Sequence, residues 1–307
     1  MSTKRLPDFV IIGAGKSGTT SLNEYLKEHP SIFMATRKEP NFFAFETLDP
    51  SIYDEEKSIE YYYNSVLTID DYYKLFEGAK EEQLLGEVSN TYISHDHSWE
   101  RIKHYVPNAK LIAILRHPAE RLYSRYFHLV RENEIPEGGE MEEVFNRDSV
   151  WWRRPDLVNE GFYYEKLKPF YDNFPKENIK IFLYEEFIGD TDRVLRDTFN
   201  FLGIDPEVKV ATDIIYNKSG EVKNKSVDAL VGQNSGLILF LKKFLPGLHR
   251  YLKESVWANR ILNNMRNKNL DKPGMDPDFR KRITHDLYKE DIEKLAELLG
   301  RDMSAWL

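Results

Sequence analysis

The sequence contains no cysteine. That excludes disulfides, thiolate nucleophiles and cysteine-ligated zinc, and it fits a reducing compartment. Long hydrophobic runs are also missing. The longest apolar-rich segment, 237–252, is interrupted by Lys242, Lys243, Pro246 and His249. It reads as an amphipathic helix packed on the body of the protein rather than a membrane segment. Residues 1–7 are polar, and the apolar stretch 9–12 is too short for a signal or a membrane span. A cytoplasmic protein without a transmembrane segment is therefore the expectation. Positive charge is in deficit, with 43 Lys and Arg against 51 Asp and Glu and a net charge of −8. Broad binding to nucleic acid is thus not expected, although a local basic pocket for a small anion is compatible with that total. There is no internal repeat and no low-complexity tract.

What is present is a globular composition: 307 residues, 41% hydrophobic, 13% aromatic and 31% charged. A chain of this length buries a substantial core. Short apolar runs at 8–13, 84–88, 110–115 and 179–184 predict strands, and periodic segments at 19–28, 118–132, 163–171 and 193–202 predict helices. Strands alternating with helices imply an α/β fold with a central parallel sheet flanked by helices. From about 217 the character changes to a lysine-bearing loop followed by helical segments. The expectation is one domain over 1–307, with a core at about 7–216 and a basic loop and C-terminal helical lobe at about 217–307.

The first stretch that carries chemistry is Gly13-Ala14-Gly15-Lys16-Ser17-Gly18-Thr19-Thr20, directly after the apolar run. A strand that ends in a glycine-rich loop and enters a helix offers backbone N–H groups and a helix dipole to an anion. Lys16 adds a full charge, and Thr19 and Thr20 add hydroxyls. Gly13 and Gly18 keep the spacing of the nucleoside-triphosphatase loop, but the lysine has moved inside the loop and position 19 is threonine. A metal-dependent P-loop kinase or nucleotidase needs its lysine and magnesium-binding hydroxyl after the second glycine. It is the alternative to a transfer of a less charged group that needs no metal. A scaffold protein that only keeps the nucleotide fold is a third class.

The second stretch runs from Lys110 through Arg116 to Tyr126. Arg116 stands at a predicted strand end, the edge where parallel sheets hold ligands. Ser124 lies eight residues on, two turns into the next helix. An arginine fork and a hydroxyl so placed suit a phosphate.

In these two stretches the chain resembles the sulfotransferases that use 3′-phosphoadenosine-5′-phosphosulfate (PAPS), most closely the branch of the heparan sulfate enzymes and their bacterial relatives. The resemblance implies that Lys16, Ser17, Gly18, Thr19 and Thr20 hold the 5′-phosphosulfate and that Arg116 and Ser124 hold the 3′-phosphate. It extends through Gly161-Phe162-Tyr163 and Phe201-Leu202-Gly203 to Asn217-Lys218-Ser219-Gly220, where Lys218 matches a cofactor-binding loop. Lys38-Glu39, followed by Phe42-Phe43, matches the branch's base-bearing element, so the resemblance implies that Glu39 is the general base and Lys16 the catalytic cation. Two departures stand out. Val88 occupies the place of a catalytic lysine, and the branch's disulfide loop is ruled out here. The family reaction implies an acceptor hydroxyl or amine, and the sequence does not choose among carbohydrate, lipid, polyketide and small-metabolite acceptors. His95 and His97 compete with Glu39 as base, while a polar helix start is the plainer role for both. His128 lies one turn beyond Ser124 and so near the cofactor or at a boundary. Ser89 and Tyr92 line an acceptor pocket or close the sheet edge. Trp151, Trp152, Arg153 and Arg154 form either an aromatic and cationic acceptor wall or local core with a solvated arginine pair.

Overall fold

The computed structural model describes residues 4–46, 62–132, 134–135, 139–212, 221–222, 245, 270–271 and 274–307. Its centre is a five-stranded parallel sheet of β1 (Phe9–Gly13), β2 (Ile32–Met34), β3 (Leu84–Val88), β4 (Lys110–Leu115) and β5 (Ile179–Leu183), in the order β2-β3-β1-β4-β5. Phe9 of β1 aligns with Gly86 on one side and Lys110 on the other. The helices before β4 are α1 (Thr19–Lys27), α2 (Phe42–Phe45), α3 (Ile69–Lys74) and α4 (Ser98–Tyr105). After it come α5 (Pro118–Glu132), α6 (Val150–Arg153), α7 (Tyr163–Asn173), α8 (Tyr184–Gly189) and α9 (Thr191–Leu202). Near the C-terminus are α10 (Pro277–Ile283), a π-helical turn Thr284–Tyr288 and α11 (Lys289–Leu299).

The apolar runs are continuous because the sheet is covered on both faces. Val10, Ile12, Leu111 and Ala113 face a core that includes Ile102, Leu122, Tyr163 and Leu167. The alternate residues Phe9, Ile11, Ile112 and Ile114 face Leu22, Leu26, Val194 and Phe199. Alternation along a strand divides its residues between the two layers. The chain builds β2 and β3 on one side of β1, then crosses to β4 and β5 on the other. The carboxyl ends of β1 and β4 therefore border the crevice where such sheets bind ligands.

The parallel α/β fold is as expected, with local differences. β2 has only three residues and was not foreseen; it pairs as an edge strand from Ile32 opposite Leu84. Tyr184 opens α8 instead of closing β5. α9 begins at Thr191, because the Asp190 side chain accepts the Arg193 N–H at 3.0 Å. The described part of the C-terminal helical region shares the core. Ile283, Tyr288, Ile292, Leu295, Met303 and Trp306 lie in the layer that holds α5 and α7, and the Trp306 carbonyl lies 2.9 Å from His117 Nε2. Lys218, Lys223, Lys225 and the predicted amphipathic helix at 237–252, apart from Leu245, lie outside the described residues. Among the described residues, no helix is long and apolar enough to cross a membrane.

Candidate active site

β1 delivers the chain into the loop 14–18, which turns into α1. Gly18 has φ 91°, and a Cβ there would stand 3.0 Å from the Phe187 ring, so the position admits glycine alone. Lys16 also takes a left-handed backbone, with φ 64°. A side chain in that region costs about 1–2 kcal/mol. The Ala14 N–H donates to the Ile114 carbonyl at 2.9 Å, and three side-chain contacts fasten the rest of the loop. The Ser17 hydroxyl, fully buried, donates to the Gly15 carbonyl at 3.4 Å. The Gly15 N–H donates to Glu160 Oε1 at 2.6 Å. Arg116 Nη1 donates to the Lys16 carbonyl at 3.3 Å.

Lys16 is half-buried among cations. Burial is the largest influence on it, followed by Arg125, Arg131, Lys38 and Arg116, and together they lower its pKa to about 7. Basic groups from the loop, from the β2–α2 connection and from α5 thus converge on one place in a chain of negative net charge. Acidic partners stand beside three of these cations, Glu39 by Lys38, Asp156 by Arg125 and Glu120 by Arg116, and the positive field left at Lys16 favours an anion. Arg116 sits at the end of β4 as expected, with its guanidinium 4.6 Å from the Tyr184 ring centre and 3.4 Å from Glu120. Tyr163 donates to the Arg116 carbonyl at 2.9 Å. Ser124 follows on α5 and is fully buried. His128, one turn on, accepts from Arg131 at Nδ1 over 3.0 Å when neutral. Burial, then Lys16 and Arg125, hold its pKa well below the ordinary value, so it is neutral.

Glu39 approaches the loop from β2. Its backbone, at φ 54°, donates to the Val88 carbonyl at 2.9 Å. Its carboxylate lies 2.8 Å from Lys38 Nζ and is hydrogen-bonded to Asn90. Asn90 Oδ1 also accepts from the Thr19 hydroxyl at 3.2 Å, so this one amide links Glu39 to the first residue of α1. Burial acts to raise the Glu39 pKa, but Lys38, Asn90 and Arg125 outweigh it and hold the group below its usual value. The carboxylate is ionised and able to take a proton. Beneath it, the Asn41 N–H donates to Ser89 Oγ, and Ser89 donates to Glu87 Oε2, both over 3.1 Å. Tyr72 donates to Glu87 Oε1 at 3.1 Å, and burial pushes the Glu87 pKa up to about 7.

The profile of the sulfotransferase domain matches residues 6–229. The chain belongs to the sulfotransferase family. Over its whole length it is similar to a sulfotransferase from Alicyclobacillus acidocaldarius, with 26% identity, a TM-score of 0.67 and coverage of 98% of this chain and 99% of the other. It shares its fold with the sulfotransferase domain of the Synechococcus olefin synthase at 17% identity and a TM-score of 0.50, covering 98% and 96%. Among curated proteins it is similar to the mouse bifunctional heparan sulfate N-deacetylase/N-sulfotransferase 4, at 26% identity over 69% of this chain and 24% of that protein. A shorter match, 33% identical over 39% of this chain and 22% of the relative, is to the membrane-associated sulfotransferase kil1 of Dictyostelium discoideum. The chain spans less than half the length of these curated relatives.

In this member of the family, burial decides between the roles open to several residues. Ser89 and Tyr92 are fully buried and support the Glu39 segment from below, with Tyr92 accepting the Phe43 N–H at 3.2 Å; they do not line an acceptor pocket. Phe42 and Phe43 are core residues, as is Val88. Trp151 is core, and Arg154 is not solvated: it is 4% exposed and lies 3.0 Å from Asp156. Asp156 also takes the Nε of Arg125 at 2.9 Å. His95 packs edge-on to Phe45, and burial followed by Arg101 lowers its pKa to about 4. His97 is exposed and 3.3 Å from Glu100. Among the described residues, no group of three or more acidic or histidine side chains is arranged for a metal ion. Asn90, Arg125, Asp156 and Glu160 were missed from sequence. Glu87 had a signal, since it is a charged residue inside a strand that is otherwise apolar.

Proposed function

We propose that this sulfotransferase moves the sulfuryl group of PAPS to a hydroxyl or amine of a carbohydrate, lipid, polyketide or small-metabolite acceptor. The observation that carries this is the convergence of Lys16, Arg116, Arg125 and Arg131 beside an ionised Glu39. PAPS is a substrate with two separated anions, and two anion-binding elements meet here. The loop 14–18 with Thr19 and Thr20 takes the 5′-phosphosulfate; Arg116 and Ser124 take the 3′-phosphate. Lys218 belongs to the same 3′-phosphate group in this assignment. The acceptor oxygen or nitrogen attacks sulfur, and the bond from sulfur to the bridging phosphate oxygen breaks. The acceptor proton passes to the Glu39 carboxylate, and the leaving group is the 3′,5′-bisphosphate. Lys16 offsets the charge that develops on the bridging oxygen.

Family membership disfavours the kinase alternative, and Lys16 stands inside the loop where a triphosphate-binding lysine would follow Gly18. The histidines fit the base role less well, because His97 already meets Glu100 in solvent and His95 packs against Phe45. Calorimetry of adenosine 3′,5′-bisphosphate against ATP, with and without magnesium, tests the proposal. Tight bisphosphate binding that ignores magnesium supports it; magnesium-dependent binding of ATP alone overturns it.

A further inference from the structure

Glu160 and Arg121 form a buried ion pair that the reaction as proposed does not use. Glu160 is 6% exposed and Arg121 fully buried, with Arg121 Nη1 at 3.2 Å from Glu160 Oε2. Such a pair brings little net stability over apolar residues of equal volume, so its presence points to positioning. Each partner reaches one of the two anion-binding elements. Glu160 Oε1 accepts the Gly15 N–H at 2.6 Å, next to Lys16. Arg121 lies on α5 three residues before Ser124, and it also donates to the carbonyls of Asp156, at 3.2 Å, and Leu157. The turn that carries Glu160 is itself braced. Tyr288 donates to the Val158 carbonyl at 2.9 Å, and a Cβ on Gly161 would stand 2.7 Å from the Tyr288 ring. A rigid bridge therefore runs from Gly15 through Glu160 and Arg121 to α5, backed by a C-terminal segment that lies beyond the family match.

We infer that the Glu160–Arg121 pair is a positioning device that sets the separation between the 5′-phosphosulfate loop and the 3′-phosphate site, and so gives the protein its preference for a nucleotide carrying both anions. This rests on the substrate assignment above. The physical basis is effective concentration: once one phosphate is bound, the second gains only if its site stands at the matching distance. A loop freed from α5 keeps its own donors and binds a single phosphate as before. It loses the gain from binding both.

The test is calorimetry with three probes: adenosine 3′,5′-bisphosphate, 5′-AMP and 3′-AMP. The variant is Arg121→Met/Glu160→Leu, which removes both buried charges together and keeps the volume filled. The expected result is single-phosphate affinities within about threefold of the original protein, and a bisphosphate advantage reduced at least about tenfold. A folded double variant that keeps the advantage within about twofold, or that loses affinity for all three ligands equally, overturns the inference. Should the double variant fail to fold, Glu160→Gln replaces it. Its amide can still accept from Gly15 but no longer pairs as an anion with Arg121, and the same ratio decides. A partial loss of the bisphosphate advantage, about threefold or more with single phosphates unaffected, supports the pair; an unchanged ratio counts against it. An original protein with no preference for the bisphosphate would instead overturn the substrate assignment, which separates the two failures.

Discussion

Lys16 supplies the sharpest prediction, because its pKa of about 7 belongs to a site without an anion. Burial and the cations Arg125, Arg131, Lys38 and Arg116 all favour the neutral amine. A bound phosphosulfate or 5′-phosphate reverses that balance and restores the ammonium. Binding must then draw in a proton wherever free Lys16 is neutral. At pH 8, one unit above the pKa, about nine-tenths of the free protein lacks that proton, so uptake approaches one proton per ligand. The dissociation constant of the bisphosphate should accordingly rise about tenfold per pH unit between 7.5 and 9. The sign follows from the direction of the shift: the charged form is lost as pH rises through 7, and with it the contact to the anion. Calorimetry in buffers of different ionisation enthalpy reads the uptake directly, and Lys16→Met should abolish both the uptake and the slope. Bisphosphate affinity that is flat from pH 7.5 to 9, with no proton uptake, would refute this picture of Lys16.

Three further outcomes are expected. Arg116→Ala should weaken the 3′,5′-bisphosphate by about 1.5–3 kcal/mol, the range for a charge-assisted contact, and weaken 5′-AMP far less, through the lost contact to the Lys16 carbonyl alone; equal losses in a titration of both would place Arg116 elsewhere. Glu39→Gln should keep bisphosphate affinity within a few-fold and reduce sulfuryl transfer by about 10²–10⁴-fold, whereas a dead His95→Asn or His97→Asn beside an active Glu39→Gln would move the base to that histidine. Glu87, raised from 4.5 to about 7 by burial, favours the folded state most below its unfolded pKa and loses that contribution as pH rises through 7. Its share of the stability difference between pH 5 and pH 8 is about 3 kcal/mol, and Glu87→Gln should flatten the urea midpoint over that window; parallel curves for the two proteins would contradict it.

The parts of the fold legible in sequence are those where one physical demand dominates. Residues 9–13 and 111–115 are buried on both sides, so they read as unbroken apolar runs, and the glycine loop and Arg116 follow them at fixed spacing. Gly203, with φ 81°, announces the end of α9 for the same local reason. The edge strand Ile32–Met34 is too short to show a period. The contacts that shape the site are non-local: Gly15 meets Glu160 across 145 positions and Thr19 meets Asn90 across 71. No spacing rule links such pairs. Sequence left two roles for Ser89 and Tyr92, because a hydroxyl near a site can as readily brace the backbone from below as face a ligand; their burial selects the bracing role. Glu39 was reached through family resemblance, and its setting between Lys38 and Asn90 shows why a carboxylate there stays ionised.

The proposed activity is tested most directly by incubating the protein with sulfur-labelled PAPS and a panel of carbohydrate, lipid, polyketide and small-metabolite acceptors, without added magnesium. The expected result is label on at least one acceptor, stoichiometric release of the 3′,5′-bisphosphate, and loss of both with Lys16→Ala. Label that moves equally well with folded Lys16→Ala, or phosphoryl transfer from ATP and magnesium in place of any sulfuryl transfer, would contradict it.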